Sequence, residues 1–350
     1  MHILITIKIS GGKNGGVEII SIDEAVLRGA QNCAVLVSVA QNNQIVEQLK
    51  EKKFEKIFLL DNWLRKRRYF RPIVMVESDY KDACPFNHYT SPYPDIIEIH
   101  KKENEIFNKD KEILDIDFNI CRQLELIKKM EEFELPDWSA SKGKNLEYRY
   151  NYDNNWFCEN SAKALYYMAR ILTPKTIIEV GSGYSTAAML DINEKYFSNK
   201  IKIISIEPNA ERLKSLLRPT DNIKIYEKPL QEIEVSLFEA LNENDILFID
   251  SSHISKIDSD VNYIFFEILP RLKNGVYIHF HDIFYPFMYY KEWIYKGLAY
   301  NEMYILRAFL MNNNQYSIQL FGEMLSLKYK DLIPKTLLEC GNGSLWIKKN

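Results

Sequence analysis

The segment KTIIEVGSGYSTAAML, from Lys175, constrains this chain more than any other. Thr176 to Val180 is a short, largely apolar run rich in β-branched residues, the pattern of a parallel strand buried on both faces. Gly181, Ser182 and Gly183 follow at once, and Ser185 to Leu190 opens a helix. A strand that turns through glycines into a helix is half of a βαβ unit, and glycine there lets backbone and ligand come close. The next strand, KIISIEP, ends on Glu207. A carboxylate in that position is placed to accept hydrogen bonds from ribose hydroxyls. Together the two features predict a parallel α/β sheet with a nucleotide-like ligand at its carboxyl edge.

Later segments add chemistry to that edge. NIKIYEKP gives a short strand around Ile223, and DILFIDSSH places Asp250 just past a strand over Ile246–Ile249. A helix is expected over residues 260–269, and GVYIHFHDIF forms a further strand. Side chains alternate along a strand, so His279 and His281 share a face and Phe280 takes the other. Asp282, at the strand end, can leave that alternation. Ligands in open parallel sheets bind outside the carboxyl ends of the strands, so Asp250, His253, His281 and Asp282 are expected to converge. Histidine titrates near neutral pH, which makes His281 or His253 a candidate base for an acceptor hydroxyl. Asp250 and Asp282 offer hard oxygen ligands to a divalent cation such as Mg²⁺, which would lower the hydroxyl pKa. The plainer readings are core histidines, a loop-capping His253, and an Asp250 that orients a cofactor amine.

The amino-terminal part predicts a smaller α/β domain. Residues 3–9 read as a strand and Gly11 to Gly16 as a turn without the Lys-Ser/Thr ending of a phosphate-binding loop. SIDEAVLRGA has Ser21 in a capping position and Glu24 three residues on, so a helix is expected. AVLVSVA, KIFLL and PIVMVE read as strands, and NNQIVEQLKEKKF as an amphipathic helix. The domains are then 1–110 (accessory α/β), 111–150 (a helical connection over 113–133 and a linker) and 151–350. The aromatic run YRYNYDNNWF is more commonly core than pocket. With 45 basic and 48 acidic residues, net charge −3, the chain has no global footprint for nucleic acid. Its apolar runs are strand length, so no transmembrane segment is expected, and MHILITIKISGG has no secretion-signal pattern. Cytoplasm is the expected location. Five cysteines without a CxxC pair argue against a zinc finger or a disulfide scaffold.

In the order of these motifs, residues 156–350 resemble class I S-adenosylmethionine-dependent methyltransferases. EVGSGYST is similar to the first cofactor motif, IEP to the acidic ribose motif and FIDSSH to the fourth-strand motif. LPRLKNGVYIHFHDIFYP and WIYKGLAYNEMYILRAFL resemble a bacterial subgroup met in polysaccharide or natural-product gene clusters. The resemblance implies a Rossmann-like seven-stranded sheet whose last strand, near LWIKK, is antiparallel. It implies cofactor contacts from Glu179, Gly181, Ser182, Gly183, Tyr184, Ser185, Thr186, Glu207 and Asp250. It implies methyl transfer from S-adenosylmethionine to a hydroxyl of a small or sugar-containing acceptor, with His281 or His253 as base. Metal-dependent relatives often carry an acidic pair at the later site, whereas here Ile283 follows Asp282. The rivals are an NAD-linked oxidoreductase, which Thr186 at the third glycine position disfavours, and a non-catalytic cofactor-binding assembly protein. A homodimer is compatible with all three.

Overall fold

The computed structural model describes residues 4–8, 17–21, 26, 34–37, 49–53, 56–59, 91–139 and 148–350. The chain divides into two compact units, Met1–Ala83 and Cys84–Asn350. In the first, β1 (Leu4–Lys8) pairs antiparallel with β2 (Val17–Ser21), and β3 (Ala34–Val37) pairs parallel with β4 (Lys56–Leu59). Ser21, expected to cap a helix, closes β2 opposite Leu4. The β-branched residues of VEIIS favour that extended state. The turn at Gly11 to Gly16 and the strand from Pro72 lie outside the described residues, as do the helix of SIDEAVLRGA apart from Val26 and most of the helix of NNQIVEQLKEKKF.

The second unit is built on a seven-stranded sheet. Its strands are β5 (Thr176–Val180), β6 (Lys202–Ile206), β7 (Ile223–Tyr226), β8 (Ile246–Ile249), β9 (Tyr277–His281), β10 (Tyr316–Leu320) and β11 (Ser344–Lys349). The order across the sheet is β10-β11-β9-β8-β5-β6-β7. β5 to β9 run parallel, and β11 is antiparallel to both of its neighbours, as the resemblance implies. The chain steps outward from β5 through β6 to β7, then returns to lay β8 on the other side of β5. That reversal opens a crevice between the loops after β5 and β8, where such sheets bind ligands. All four residues of β8 are buried, which fits a central strand covered on both faces.

Helices cover the sheet by ordinary amphipathic logic. Glu159–Leu172 is the exception, buried nearly all round, with Ala164, Leu165, Tyr166, Tyr167, Met168 and Ala169 in an unbroken buried run. The expected helix over 113–133 is shorter, Ile120–Met130, and buries Gln123, Leu126, Ile127 and Met130. Gln123 is tolerated inside because its amide donates to the Phe118 carbonyl while its oxygen accepts from Phe321 N–H at 2.7 Å. The aromatic run is core, as the commoner reading had it: Tyr150 and Phe157 are buried against each other, and Trp138 packs on Tyr150. Trp156 is the exception, at 57% exposed. Arg149 fixes this segment to the helix Tyr184–Phe197 (through Asp191 and Glu194) and to Asp221. Its buried charge is matched by carboxylates, as burial of a guanidinium requires.

Candidate active site

The two loops at the switch point touch. Gly181 has φ +79°, and a Cβ added there would lie 1.8 Å from the Asp250 carbonyl oxygen. The glycine is therefore demanded first by the neighbouring loop, and only secondarily by room for a ligand. Gly183 is different: its φ is 170°, ordinary extended backbone, and an added Cβ would meet only the flexible Arg212 side chain at 3.3 Å.

A cavity of about 470 Å³ opens beyond the ends of β5, β6 and β8. Val180, Gly181, Ile206, Glu207, Leu230 and Asp250 are among its walls. Glu207 is held in place by the Ser182 N–H at 3.2 Å and the Asn209 N–H at 2.8 Å. Other residues expected to touch a cofactor are placed elsewhere. Glu179 is fully buried and accepts hydrogen bonds from the hydroxyls of Ser185 at 2.6 Å and Thr186. Burial pushes the Glu179 carboxyl up to about 7, against those hydrogen bonds. The Ser182 hydroxyl is bonded to Ser205. None of Glu179, Ser182, Gly183, Tyr184, Ser185 or Thr186 lines this cavity.

Asp250 also belongs to a cluster of histidines and carboxylates. His253 Nε2 lies 3.4 Å from Asp250 Oδ1 and 3.4 Å from Asp282 Oδ2. His281 Nδ1 lies 3.3 Å from Asp282 Oδ1 and 3.6 Å from Asp250 Oδ1. All four expected residues therefore converge. His253 (φ +60°) and Asp282 (φ +57°) both adopt the left-handed region, which turns Asp282 out of the strand's alternation. His279 does not join them: it stacks on Phe248 at 3.8 Å, and burial drives its pKa well below the usual value. It is a neutral core histidine.

Glu302 completes the cluster, and sequence reading missed it. It is 1% exposed, its Oε2 lies 2.7 Å from His253 Nδ1, and its Oε1 accepts from the Ser251 hydroxyl at 3.0 Å. The His253 carbonyl in turn accepts the Asn301 and Glu302 N–H groups. A signal was present: Glu302 shares an i, i+4, i+8 stripe with buried Leu306 and Leu310, an acid on an apolar face. Burial opposes charge on His253, but hydrogen bonding to Asp250 and Glu302 outweighs it and raises the pKa well above normal. For His281, burial is likewise outweighed by Asp250 and Asp282, and the pKa rises to about 9. Burial works against the Asp282 charge too, yet His281 holds that carboxyl below its usual range. Both histidines of the cluster therefore favour the protonated form at neutral pH.

Residues 178–283 match the family model described as "Methyltransferase domain". That match and the sheet order seen here support a class I methyltransferase domain around residues 178–283. The chain belongs to one family with an uncharacterized protein of Archaeoglobus fulgidus, to which it is 35% identical over 177 residues, 49% of this chain and 79% of that protein. Among solved structures it is similar to the SAH-bound methyltransferase PaMTH1 of Podospora anserina (17% identity, 74% of this chain, 99% of that chain, TM-score 0.37). It is also similar to the O-methyltransferase TomG of Streptomyces achromogenes in complex with SAM (13% identity, 72% of this chain, 96% of that chain, TM-score 0.33). At these scores the likeness adds nothing to what the sheet order already shows. Among the described residues no helix is long and apolar enough to cross a membrane.

Proposed function

We propose that this domain transfers a methyl group from S-adenosylmethionine to a hydroxyl of a small or sugar-containing acceptor. The observation that carries the reading is the double placement of Asp250. It lines the cavity with Glu207, and it stands 3.4 Å from His253 in the cluster. A donor whose ribose is held by Glu207 thus presents its reactive end to a ready set of proton-handling groups. The cavity walls carry Glu207, Asp250, Asp258 and Asp260 against Lys256. That balance suits a sulfonium cation and opposes the pyrophosphate of a dinucleotide, which counts against the NAD-linked alternative. A buried, strained group of histidines and carboxylates counts against a purely non-catalytic role.

S-adenosylmethionine supplies the electrophilic methyl. The acceptor oxygen forms a bond to that carbon as the carbon–sulfur bond breaks, leaving a thioether and one proton to place. His253 is the proton acceptor in this reading. Glu302 holds its Nδ1–H, which fixes the tautomer and leaves Nε2 facing the gap between Asp250 and Asp282. Because His253 rests protonated, it must first lose that proton, so turnover climbs as pH rises above neutral.

A specific observation favours a second reading of the same gap. Asp250, His253 and Asp282 each bring one donor atom within 4.8 Å of the others. Two carboxylate oxygens and an imidazole nitrogen fit a divalent cation, and the imidazole favours Mn²⁺ or Zn²⁺ over Mg²⁺. A cation there would supply Lewis-acid lowering of the acceptor pKa. His253 is then a ligand, and His281, whose Nδ1 lies 3.3 Å from Asp282 Oδ1, is the imidazole left for the proton once it has lost its own.

Transfer of label from methyl-labelled donor across a panel of sugar and phenolic hydroxyls tests the function, run with and without chelator. Binding of S-adenosylhomocysteine without binding of NAD is expected. Binding of NAD in its place would overturn the reading.

A further inference from the structure

The sulfonium of the donor carries three substituents. On the reading above, the adenosyl group enters the cavity and the methyl faces the cluster. The amino-acid arm must leave by the remaining direction, past the loop of Gly181 to Gly183. Its carboxylate cannot turn back into walls that already hold four carboxylates against one lysine.

A cation waits beside that loop. Arg212 follows Glu207 by five residues and Pro208 by four, and both of those line the cavity. Its Cδ lies 3.3 Å, and one terminal nitrogen 4.0 Å, from where a Cβ of Gly183 would be. The bare glycine thus lets the guanidinium lie against the loop. Arg212 forms no ion pair among the described residues, although arginines nearby in the fold do: Arg149 binds three carboxylates, and Arg218 pairs with Glu194. The guanidinium is stacked instead over the indole of Trp156, 3.6 Å from the ring centroid. Trp156 is 57% exposed while Tyr150 and Phe157 in the same aromatic run are buried. An exposed tryptophan adds little to the core. A tryptophan that fixes an arginine's plane and leaves its N–H edge open pre-organises that edge for a carboxylate.

We propose that Arg212 is the counter-ion of the donor's amino-acid carboxylate, with Trp156 as the positioning residue that holds its guanidinium. The inference rests on the assignment of S-adenosylmethionine as donor. It gives the site a second anchor, independent of Glu207, that recognises a carboxylate rather than a ribose.

The test is equilibrium binding of two probes, S-adenosylhomocysteine and 5′-methylthioadenosine, which keeps the adenosine and sulfur but lacks the amino-acid arm. Arg212→Ala is expected to weaken S-adenosylhomocysteine by roughly tenfold to a hundredfold, the range for losing one charge-assisted pair. Its affinity for 5′-methylthioadenosine should not change, which also shows that the cavity is still folded. Trp156→Ala should give a smaller loss with the same selectivity, and Trp156→Phe should restore most of it. Lys256→Ala is the comparison, expected to affect both probes alike. Equal losses of both probes in Arg212→Ala, no loss at all, or a selective loss in Lys256→Ala instead would each overturn the proposal. If the unsubstituted protein binds neither probe, the donor assignment itself fails, and that outcome is separable from the others.

Discussion

Replacing Glu179 with glutamine should remove a pH dependence of stability from the folded chain. Glu179 is fully buried beneath the glycine turn, and its pKa stands at about 7 against an ordinary 4.5. Between those values the folded chain keeps a proton that the unfolded chain has released. Stability from this group therefore falls as pH rises through that window and levels off above it. Holding the carboxyl at about 7 rather than 4.5 amounts to about 3 kcal/mol over the full window, at about 1.36 kcal/mol for each tenfold change in proton affinity. Besides His253, which is raised as His281 is, two histidines titrate across the same range in opposite senses. His279, depressed by burial, contributes stability that is lost as pH falls below about 6.5. His281, raised to about 9, contributes stability that is lost as pH climbs from 6.5 towards 9. The difference between the wild-type chain and Glu179→Gln cancels all three. Urea unfolding at intervals from pH 5 to 8 should show that difference falling by about 2 to 3 kcal/mol. A difference that stays constant with pH would mean that Glu179 ionises as a solvated carboxylate does, and the reasoning from its burial would be wrong.

Four other outcomes follow from the site. Gly181→Ala forces a side chain into a left-handed residue against the Asp250 carbonyl, so urea unfolding should report a loss of about 2 to 4 kcal/mol, together with lost S-adenosylhomocysteine binding. Glu207→Ala should weaken S-adenosylhomocysteine and 5′-methylthioadenosine alike, by roughly tenfold or more in calorimetry, because both carry the ribose. Mn²⁺ should raise the melting temperature of the wild-type chain and leave those of Asp250→Asn and Asp282→Asn unmoved, as read by thermal shift. Glu302→Gln should move the His253 pKa downward in an NMR titration of the metal-free protein, since it removes one of the three carboxylates that hold the imidazole charged.

Strand ends were the legible part of this chain. Val180, Ile206, Ile249 and His281 were readable as strand termini because apolar runs of four or five residues stop abruptly at glycine or an acid. The sheet rule then brought Asp250, His253, His281 and Asp282 together with no long-range information. What the linear pattern could not carry was direction beyond a strand end. Glu179 sits in a motif that the resemblance ties to cofactor contact, yet alternation along β5 and the hydroxyls of Ser185 and Thr186 turn its carboxylate inward. Gly183 was read with Gly181 as one feature, although only Gly181 has a backbone that glycine favours. Glu302 lies 49 residues from its partner His253, and only packing of the helix Glu302–Leu310 against the loop after β8 reveals the pair. Ser21 closes β2, and the start of the helix it was expected to cap lies outside the described residues.

The strain and charge at the switch point argue that the cluster is kept for chemistry. His253 and Asp282 are both non-glycine residues in left-handed backbone, a conformation that costs about 1 kcal/mol or more apiece. Three carboxylates, those of Asp250, Asp282 and Glu302, crowd two imidazoles in a region where His253, His281 and Glu302 are nearly inaccessible. Apolar residues of similar volume would pack there at no such expense, since replacing buried ion pairs with hydrophobic side chains is often neutral or stabilising. His281 goes further: both ring nitrogens are buried without a well-formed hydrogen bond, and only the charges of Asp282 at 3.3 Å and Asp250 at 3.6 Å offset that burial. Each feature is unfavourable for folding alone and becomes favourable once a hydroxyl, a proton or a cation enters the gap between Asp250 and Asp282. The cavity shares Asp250 with that gap, so on the proposed function the unfavourable groups stand where an incoming acceptor would meet the methyl.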